Sequence, residues 1–100
     1  MDYQLSAQKR TARNPRALRR EGFIPAVVYG ADLPSTPIQV EAAAFNQLLS
    51  KLGRQSPIDL ALEGETHRVV IRELQRDPLS REVIHVDFFK VSASNREETE

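Results

Sequence analysis

Short strand-like segments recur along the whole chain, and they constrain its fold more than any other feature. Within them apolar and polar side chains alternate, or a brief apolar run is bounded by turn residues. A chain of 100 residues is expected to form one domain. Because an open sheet of short strands would expose its edges, the pattern predicts an antiparallel, partly closed barrel. Six strands are predicted: Tyr3–Ala7, Pro25–Gly30, Ile38–Val40, Ile58–Leu62, His67–Leu74 and Val83–Val91.

Two helices are predicted to cover openings in this barrel. Asn14 and Pro15 indicate a helix start, since Asn accepts a bond from a free N–H and Pro loses none at the first helical position. This helix spans Pro15–Glu21, and Gly22 can supply the left-handed residue that ends it. The second helix, Ala42–Leu52, repeats apolar side chains at helical spacing. The predicted fold class is therefore α+β, and mainly β.

The remaining segments are interpreted as connections and a tail. Residues 1–91 would form the single domain, and residues 92–100 a flexible, acidic tail. Polar or proline-containing stretches predict a loop at Lys9–Arg13, a turn bracketed by Pro34 and Pro37, a hairpin turn at Glu63–Thr66 and a connection at Gln75–Ser80.

Positive charge is concentrated at the start of the chain, although the formal net charge is zero. On the first helix Arg16, Arg19 and Arg20 occupy positions i, i+3 and i+4, so they share one face, which we call the arginine face. Guanidinium groups match phosphate geometry and stay charged. The face therefore predicts binding to a polyanion such as nucleic acid, with a solvated helix face as the alternative. The first twenty residues hold six basic side chains and one acidic side chain: Lys9, Arg10, Arg13, Arg16, Arg19, Arg20 and Asp2.

The last strand carries a second set of candidates. Alternation places His85 and Asp87 on one face, about 7 Å apart along the strand. An acid inside an RNA footprint requires a specific donor, such as a base amino group or a 2′-hydroxyl. The pair would then read the identity of the RNA rather than add affinity, and a solvent-facing polar pair is the alternative. The opposite face of the strand is apolar: Ile84, Val86 and Phe88.

Three further side chains are candidates for the same surface. Tyr29 lies near a strand end, where it either packs half-buried or hydrogen-bonds a sugar or phosphate. Gln75 and Arg76 follow the fifth predicted strand and would join His85 and Asp87 only if the fold brings them together.

Several kinds of chemistry are excluded or poorly supported. Cysteine is absent, which excludes disulfides and thiolate ligands. A metal site would need His67 to converge with His85 and Asp87. Neither a Gly-x-Ser-x-Gly motif nor a Gly-rich phosphate loop is present. No apolar run approaches the ~20 residues of a membrane span, and no signal peptide is recognisable. We expect no metal, no cofactor and no membrane.

The candidate residues fall in ordered blocks that are similar to those of a known family. In order and spacing they resemble bacterial large-subunit ribosomal protein L-twenty-five, also called general stress protein CTC in its longer forms. The resemblance covers about residues 1–91. The blocks that carry it are Arg10, Leu18-Arg19-Arg20-Glu21-Gly22, Ile24-Pro25-Ala26-Val27-Val28-Tyr29-Gly30, Gln75-Arg76-Asp77-Pro78 and His85-Val86-Asp87-Phe88.

The resemblance implies a six-stranded barrel that binds 5S ribosomal RNA at the irregular internal loop called loop E. The RNA would present a widened minor groove, and any magnesium would belong to the RNA. It further implies a cytoplasmic, ribosome-associated protein of the large subunit, with neighbouring ribosomal proteins as possible partners and a monomer when free. The family's RNA-contacting positions match Arg10, Arg19, Arg20, Tyr29, His85 and Asp87, and also Gln75 and Arg76; Arg16 is our addition from the arginine face.

Two other functions stay open at this point. One is a non-ribosomal, stress-linked RNA-binding regulator with the same surface. The other is a small barrel enzyme that uses His85 and Asp87, which would require a pocket around that pair. The chain is either a natural short form or the first domain of a longer protein.

Overall fold

A closed barrel of six strands forms the body of the protein. The computed structural model describes residues 4–10, 14–53 and 56–91. The predicted class, mainly β with two helices, is confirmed. The elements are β1 (Gln4–Lys9), α1 (Pro15–Arg20), β2 (Phe23–Gly30), β3 (Leu33–Glu41), α2 (Ala42–Leu52), β4 (Ile58–Leu62), β5 (Glu65–Arg76) and β6 (Val83–Lys90).

The barrel is fully closed, and its strand pairing is mixed rather than purely antiparallel. Around the barrel the strands follow the order β1-β3-β2-β6-β5-β4, and β4 pairs back with β1. The hairpin neighbours β2–β3, β4–β5 and β5–β6 are antiparallel. The pairs β1–β4 and β2–β6 are parallel. Parallel neighbours need long crossover connections, and those depend on the whole path of the chain rather than on any local pattern.

Alternating side chains from all six strands fill the barrel, and α2 closes it. Phe45 of α2 enters the core and meets Phe88 of β6 edge-to-face, with ring centroids 6.2 Å apart. Both aromatic rings are almost completely buried. The apolar stripe predicted for α2 is therefore a core contact. The buried core residues are Leu5, Ala7, Ile24, Ala26, Val28, Ile38, Val40, Phe45, Ile58, Leu60, Leu62, Val69, Val83, Val86 and Phe88.

The first helix packs on the outer face of the barrel rather than over an opening, and its predicted start and end are present. The Asn14 side chain accepts a hydrogen bond from the N–H of Ala17 at 2.9 Å, and Gly22 has a φ of +93°. The helix contacts β2. Leu18 and the outward-facing Pro25 are both fully buried, so α1 covers the first part of the outer face of β2. The carbonyl of Gly22 accepts from the N–H of Ala42 at 2.8 Å and ties this corner to α2.

Two predicted connections are strand instead. Pro34 and Pro37 lie within β3. The Pro37 carbonyl accepts a hydrogen bond from the N–H of Arg10, just after the end of β1. The nitrogen of Pro37, which has no hydrogen to donate, therefore faces the side of β3 where the pairing with β1 ends. A proline is tolerated at such a position. Gln75 and Arg76 extend β5 because its partner β6 continues beside them. Lys9 likewise belongs to β1.

The other predicted connections have simpler outcomes. The hairpin turn between β4 and β5 is made by Glu63 and Gly64, both with positive φ, as a two-residue turn with this twist requires. Tyr3, the segment 11–13 and the predicted tail 92–100 lie outside the described residues.

Candidate nucleic-acid interface

The arginine face of α1 lies on the protein surface. Arg16 and Arg20 are exposed and Arg19 is half-buried. Together with Asn14 and Pro15 they line an open depression. Within the described part of the chain, none of the three arginines has a carboxylate within ion-pair distance. No described carboxylate therefore competes with an external anion for their guanidinium donors.

Arg19 also lies beside the connection between β5 and β6. With Glu82, Val83 and Asn46 it lines a small crevice. The N–H groups of Leu79 and Ser80 donate to the Asp77 carboxylate at 2.8 and 3.2 Å. These bonds, aided by the positive charge of Arg19, lower the pKa of Asp77 below its usual value. Because Asp77 lies at the surface and is only half-buried, solvent screens its attraction to Arg19. The crevice places the arginine face next to the start of β6.

His85 and Asp87 share the outer face of β6, as alternation predicts. The Nδ1 atom of His85 lies 3.3 Å from a carboxylate oxygen of Asp87, and their side chains are 34% and 26% exposed. Val86 and Phe88 alternate with them and face the core. Ile84, predicted to share the apolar face with Val86 and Phe88, differs from that prediction because it is only half-buried. The β5–β6 register shifts at this end, and Val83 takes the core position instead.

Neighbouring strands add two of the predicted residues to this outer face. Tyr29 of β2 aligns with Phe89 of β6, and their rings meet edge-on with centroids 5.7 Å apart. Gln75 of β5 lies directly opposite His85. The outer face of β2, β6 and β5 therefore brings Tyr29, Gln75, His85 and Asp87 onto one surface, which we call the strand surface.

Two predicted residues have other placements. The Nη1 atom of Arg76 donates to the carbonyl of Arg81 at 2.9 Å, so this guanidinium braces the connection between β5 and β6. Arg10 continues β1 along β3, and β3 separates it from β2. Among the described residues, no hydrogen bond or ion pair joins the Arg10 side chain to the other candidates.

Sequence reasoning missed two residues of the strand surface. Phe89 continues the alternation of His85 and Asp87, and that pattern was sufficient to find it. Arg72 lies where the β5–β6 register shifts between Ile71 and Glu73, and its guanidinium carbon stands 4.5 Å from the centre of the Phe89 ring. A shift in register leaves no signal in a single sequence, because a prediction from the two-residue alternation of a strand assumes that its register does not shift.

Neither a metal centre nor a membrane segment is found in the described ranges. Within them no three side chains of His, Cys, Asp or Glu gather as a metal would require. His67 is buried near Glu65, on the core side of β5 and away from the outward-facing His85. No helix among these residues is long and apolar enough to cross a membrane.

Comparison with known proteins gives a consistent result. The model of the Ribosomal L25p family matches residues 5–88. The large ribosomal subunit protein bL25 of Halalkalibacterium halodurans is 43% identical over 81 residues, covering 80% of this chain and 38% of that protein. The protein of the same name from Pelotomaculum thermopropionicum is 38% identical over 103 residues, covering 96% of this chain and 49% of that protein. The chain thus spans less than half the length of these curated relatives.

Proposed function

Because the chain belongs to the Ribosomal L25p family, we propose that it is a structural, non-catalytic component of the large ribosomal subunit that binds 5S ribosomal RNA at loop E. Relatives named as large ribosomal subunit proteins support the ribosomal part of this proposal. They give no support to an enzyme built on His85 and Asp87. The proposed location is cytoplasmic and ribosome-associated, with magnesium held by the RNA and not by the protein.

One observation carries the RNA-binding part of the proposal. The arginine face, whose members form no ion pair with a described residue, meets the start of β6, and the same strand carries His85 and Asp87 outward. A chain of zero formal net charge thus places arginines that no described carboxylate pairs beside a surface of directed hydrogen-bonding groups. This combination suits a structured polyanion better than a small molecule.

The two parts of the surface would have different tasks. Arg16, Arg19 and Arg20 would contact phosphates and supply affinity that depends on salt and little on sequence. His85 and Asp87 would supply specificity through directed hydrogen bonds. Regular A-form RNA hides its major-groove base edges in a deep, narrow groove and is recognised mostly by shape. A distorted internal loop with a widened minor groove is the kind of site that a rigid strand surface can read.

A gel-shift titration at near-physiological salt tests the proposal. The protein is titrated into bacterial 5S ribosomal RNA, a 5S variant with loop E disrupted, and transfer RNA. We expect tight binding to intact 5S RNA alone. Equal, weak and salt-sensitive binding to all three would contradict the proposal and leave only a basic patch. Selective binding to another structured RNA would instead support the non-ribosomal regulator.

Removal of either Arg19 or Arg20 from the arginine face is expected to weaken binding. Arg19→Ala and Arg20→Ala should each lower the affinity for 5S RNA. Each should also reduce the slope of log affinity against log salt by about 0.7–0.9 for every phosphate that the side chain neutralises. The slope is measured by titration over a series of salt concentrations. Arg68→Ala is the matched control, because Arg68 is paired with Asp59 of β4 at 3.4 Å. A wild-type slope in both variants would remove α1 from the interface.

A further inference from the structure

Arg72 differs from the other arginines of the barrel in how it is held. β5 and β6 pair Ile71 with Phe88 and then Glu73 with Asp87, so Arg72 is an extra residue with no partner on β6. Such bulges redirect a side chain and occur often beside functional sites. Here the bulge releases Arg72 from the inward and outward alternation of β5, and its side chain is exposed.

The Arg72 guanidinium rests on an aromatic pair that fixes its position. Its central carbon lies 4.5 Å from the centre of the Phe89 ring. Phe89 is itself braced edge-on by Tyr29, at 5.7 Å and an interplanar angle of 70°. Tyr29, Phe89 and Arg72 thus form a row across β2, β6 and β5. The cation–π contact and the ring packing reduce the rotamer freedom that an exposed arginine otherwise has.

This mode of packing leaves the hydrogen-bonding edge of Arg72 unused. A guanidinium has five N–H donors in its plane, and its attraction to the face of a ring does not require any of them to form a conventional hydrogen bond. Among the described residues, Arg72 has no hydrogen bond or ion pair, although Glu73 follows it in the strand. By contrast, Arg68 and Arg76 of the same strand are engaged with Asp59 and with the Arg81 carbonyl.

Through Phe89, the position of Arg72 can be measured along β6 from His85 and Asp87, the candidate RNA-reading pair. Phe89 follows Asp87 on the same face of β6, about 7 Å further along the strand. Arg19 lines a crevice with Val83 at the other end of β6. His85 and Asp87 therefore lie between two sources of positive charge that are about 20 Å apart along the strand.

We propose that Arg72 is a further phosphate-contacting residue of the RNA interface and that Phe89 is its positioning residue. This inference rests on the proposed function and extends it to a second anchor beyond the arginine face. An arginine already held in place loses little entropy when it binds, so it fixes the register of the RNA over His85 and Asp87.

The test compares Arg72→Gln with Arg68→Gln, which removes the same charge from an ion-paired position on the same strand. Binding to intact and loop-E-disrupted 5S RNA is measured as a function of salt, and circular dichroism verifies the fold of each variant. We expect Arg72→Gln to weaken binding to intact 5S RNA about tenfold and to lower the salt slope by about 0.7–0.9. Arg68→Gln should remain within about twofold of wild type, as a charge far from the phosphates would.

A double-mutant cycle tests the role of Phe89. Phe89→Leu should weaken binding severalfold in the wild-type background and have little effect once Arg72 is Gln, while Phe89→Tyr should preserve affinity because it keeps the ring. Equal reductions in affinity from Phe89→Leu in both backgrounds would overturn the positioning role.

The outcomes separate the two proposals. If wild type selects intact 5S RNA and Arg72→Gln binds as wild type does, the inference fails and the proposed function stands. Weaker binding with an unchanged salt slope would overturn the phosphate assignment. If wild type shows no selectivity for 5S RNA, both proposals fail.

Discussion

Replacement of Phe88 by alanine is expected to lower the free energy of unfolding by about 3–5 kcal/mol, the range for removing a buried phenylalanine. Phe88 is completely buried and meets Phe45 of α2 inside the barrel. The substitution would leave a cavity at the contact that joins the helix to the sheet, and a closed barrel has little freedom to collapse around it. Urea denaturation, with the slope m monitored for changes in the unfolded state, measures the effect.

The neighbouring Phe89 provides the matched control. It is the same residue type on the same strand, but it faces outward toward Tyr29 and Arg72. Phe89 is half-buried rather than fully buried, so Phe89→Ala should cost about 1–2 kcal/mol, from the ring contacts and the apolar area that they cover. Similar destabilisation by the two substitutions would contradict the assignment of inner and outer faces on β6, and with it the exposure of His85 and Asp87.

The second large effect is expected at Asp87. Asp87→Ala should reduce discrimination between intact and loop-E-disrupted 5S RNA by about 1–3 kcal/mol, the range for a specific hydrogen-bonding pair. Removing a negative charge from the proposed phosphate-binding surface would otherwise strengthen binding, so the expected sign is opposite to that of simple electrostatics. Competition gel shifts with the two RNAs give the discrimination directly.

Because Asp87 contacts His85, the Asp87→Ala variant needs a control for the loss of that contact. Because Nδ1 of His85 lies 3.3 Å from the Asp87 carboxylate, losing Asp87 also removes a group that orients the imidazole. His85→Ala measured in parallel separates the two contributions. Asp59→Ala removes a charge from β4, outside the strand surface, and should leave discrimination unchanged. Binding by Asp87→Ala that is as tight as wild type, with discrimination intact, would contradict a reading role for Asp87.

Local patterns are sufficient to predict much of this fold. The helix α1 depends on a capping asparagine and a terminal glycine, and α2 depends on an apolar stripe that reaches Phe45. Both signals lie within a few residues of the element they specify. The outward placement of His85 and Asp87 follows in the same way, since alternation along one strand needs no knowledge of the neighbouring strands.

Features that depend on pairing between distant strands could not be predicted. The parallel pairs β1–β4 and β2–β6 change the predicted antiparallel barrel into a mixed one. Pro34 and Pro37 locally favour a turn, and their tolerance in β3 depends on a shift in the β2–β3 register at Pro34 and on the end of β1 at Pro37. Arg72 has no local signal, because a bulge is defined by the register of two strands. The surface that joins β2, β6 and β5 is therefore visible only in three dimensions.

The parallel pair β2–β6 has a consequence for the synthesis of this protein. It places position 26 beside position 86, sixty residues later in the chain. Tyr29 is translated early and Asp87 late, so a ribosome must complete nearly the whole barrel before the strand surface can exist. Contacts so distant in sequence also slow folding. The residues of the arginine face, in contrast, lie within one short segment and are all translated early. Under the proposed function, a nascent chain would therefore hold its phosphate-contacting arginines before it holds the surface that discriminates among RNAs.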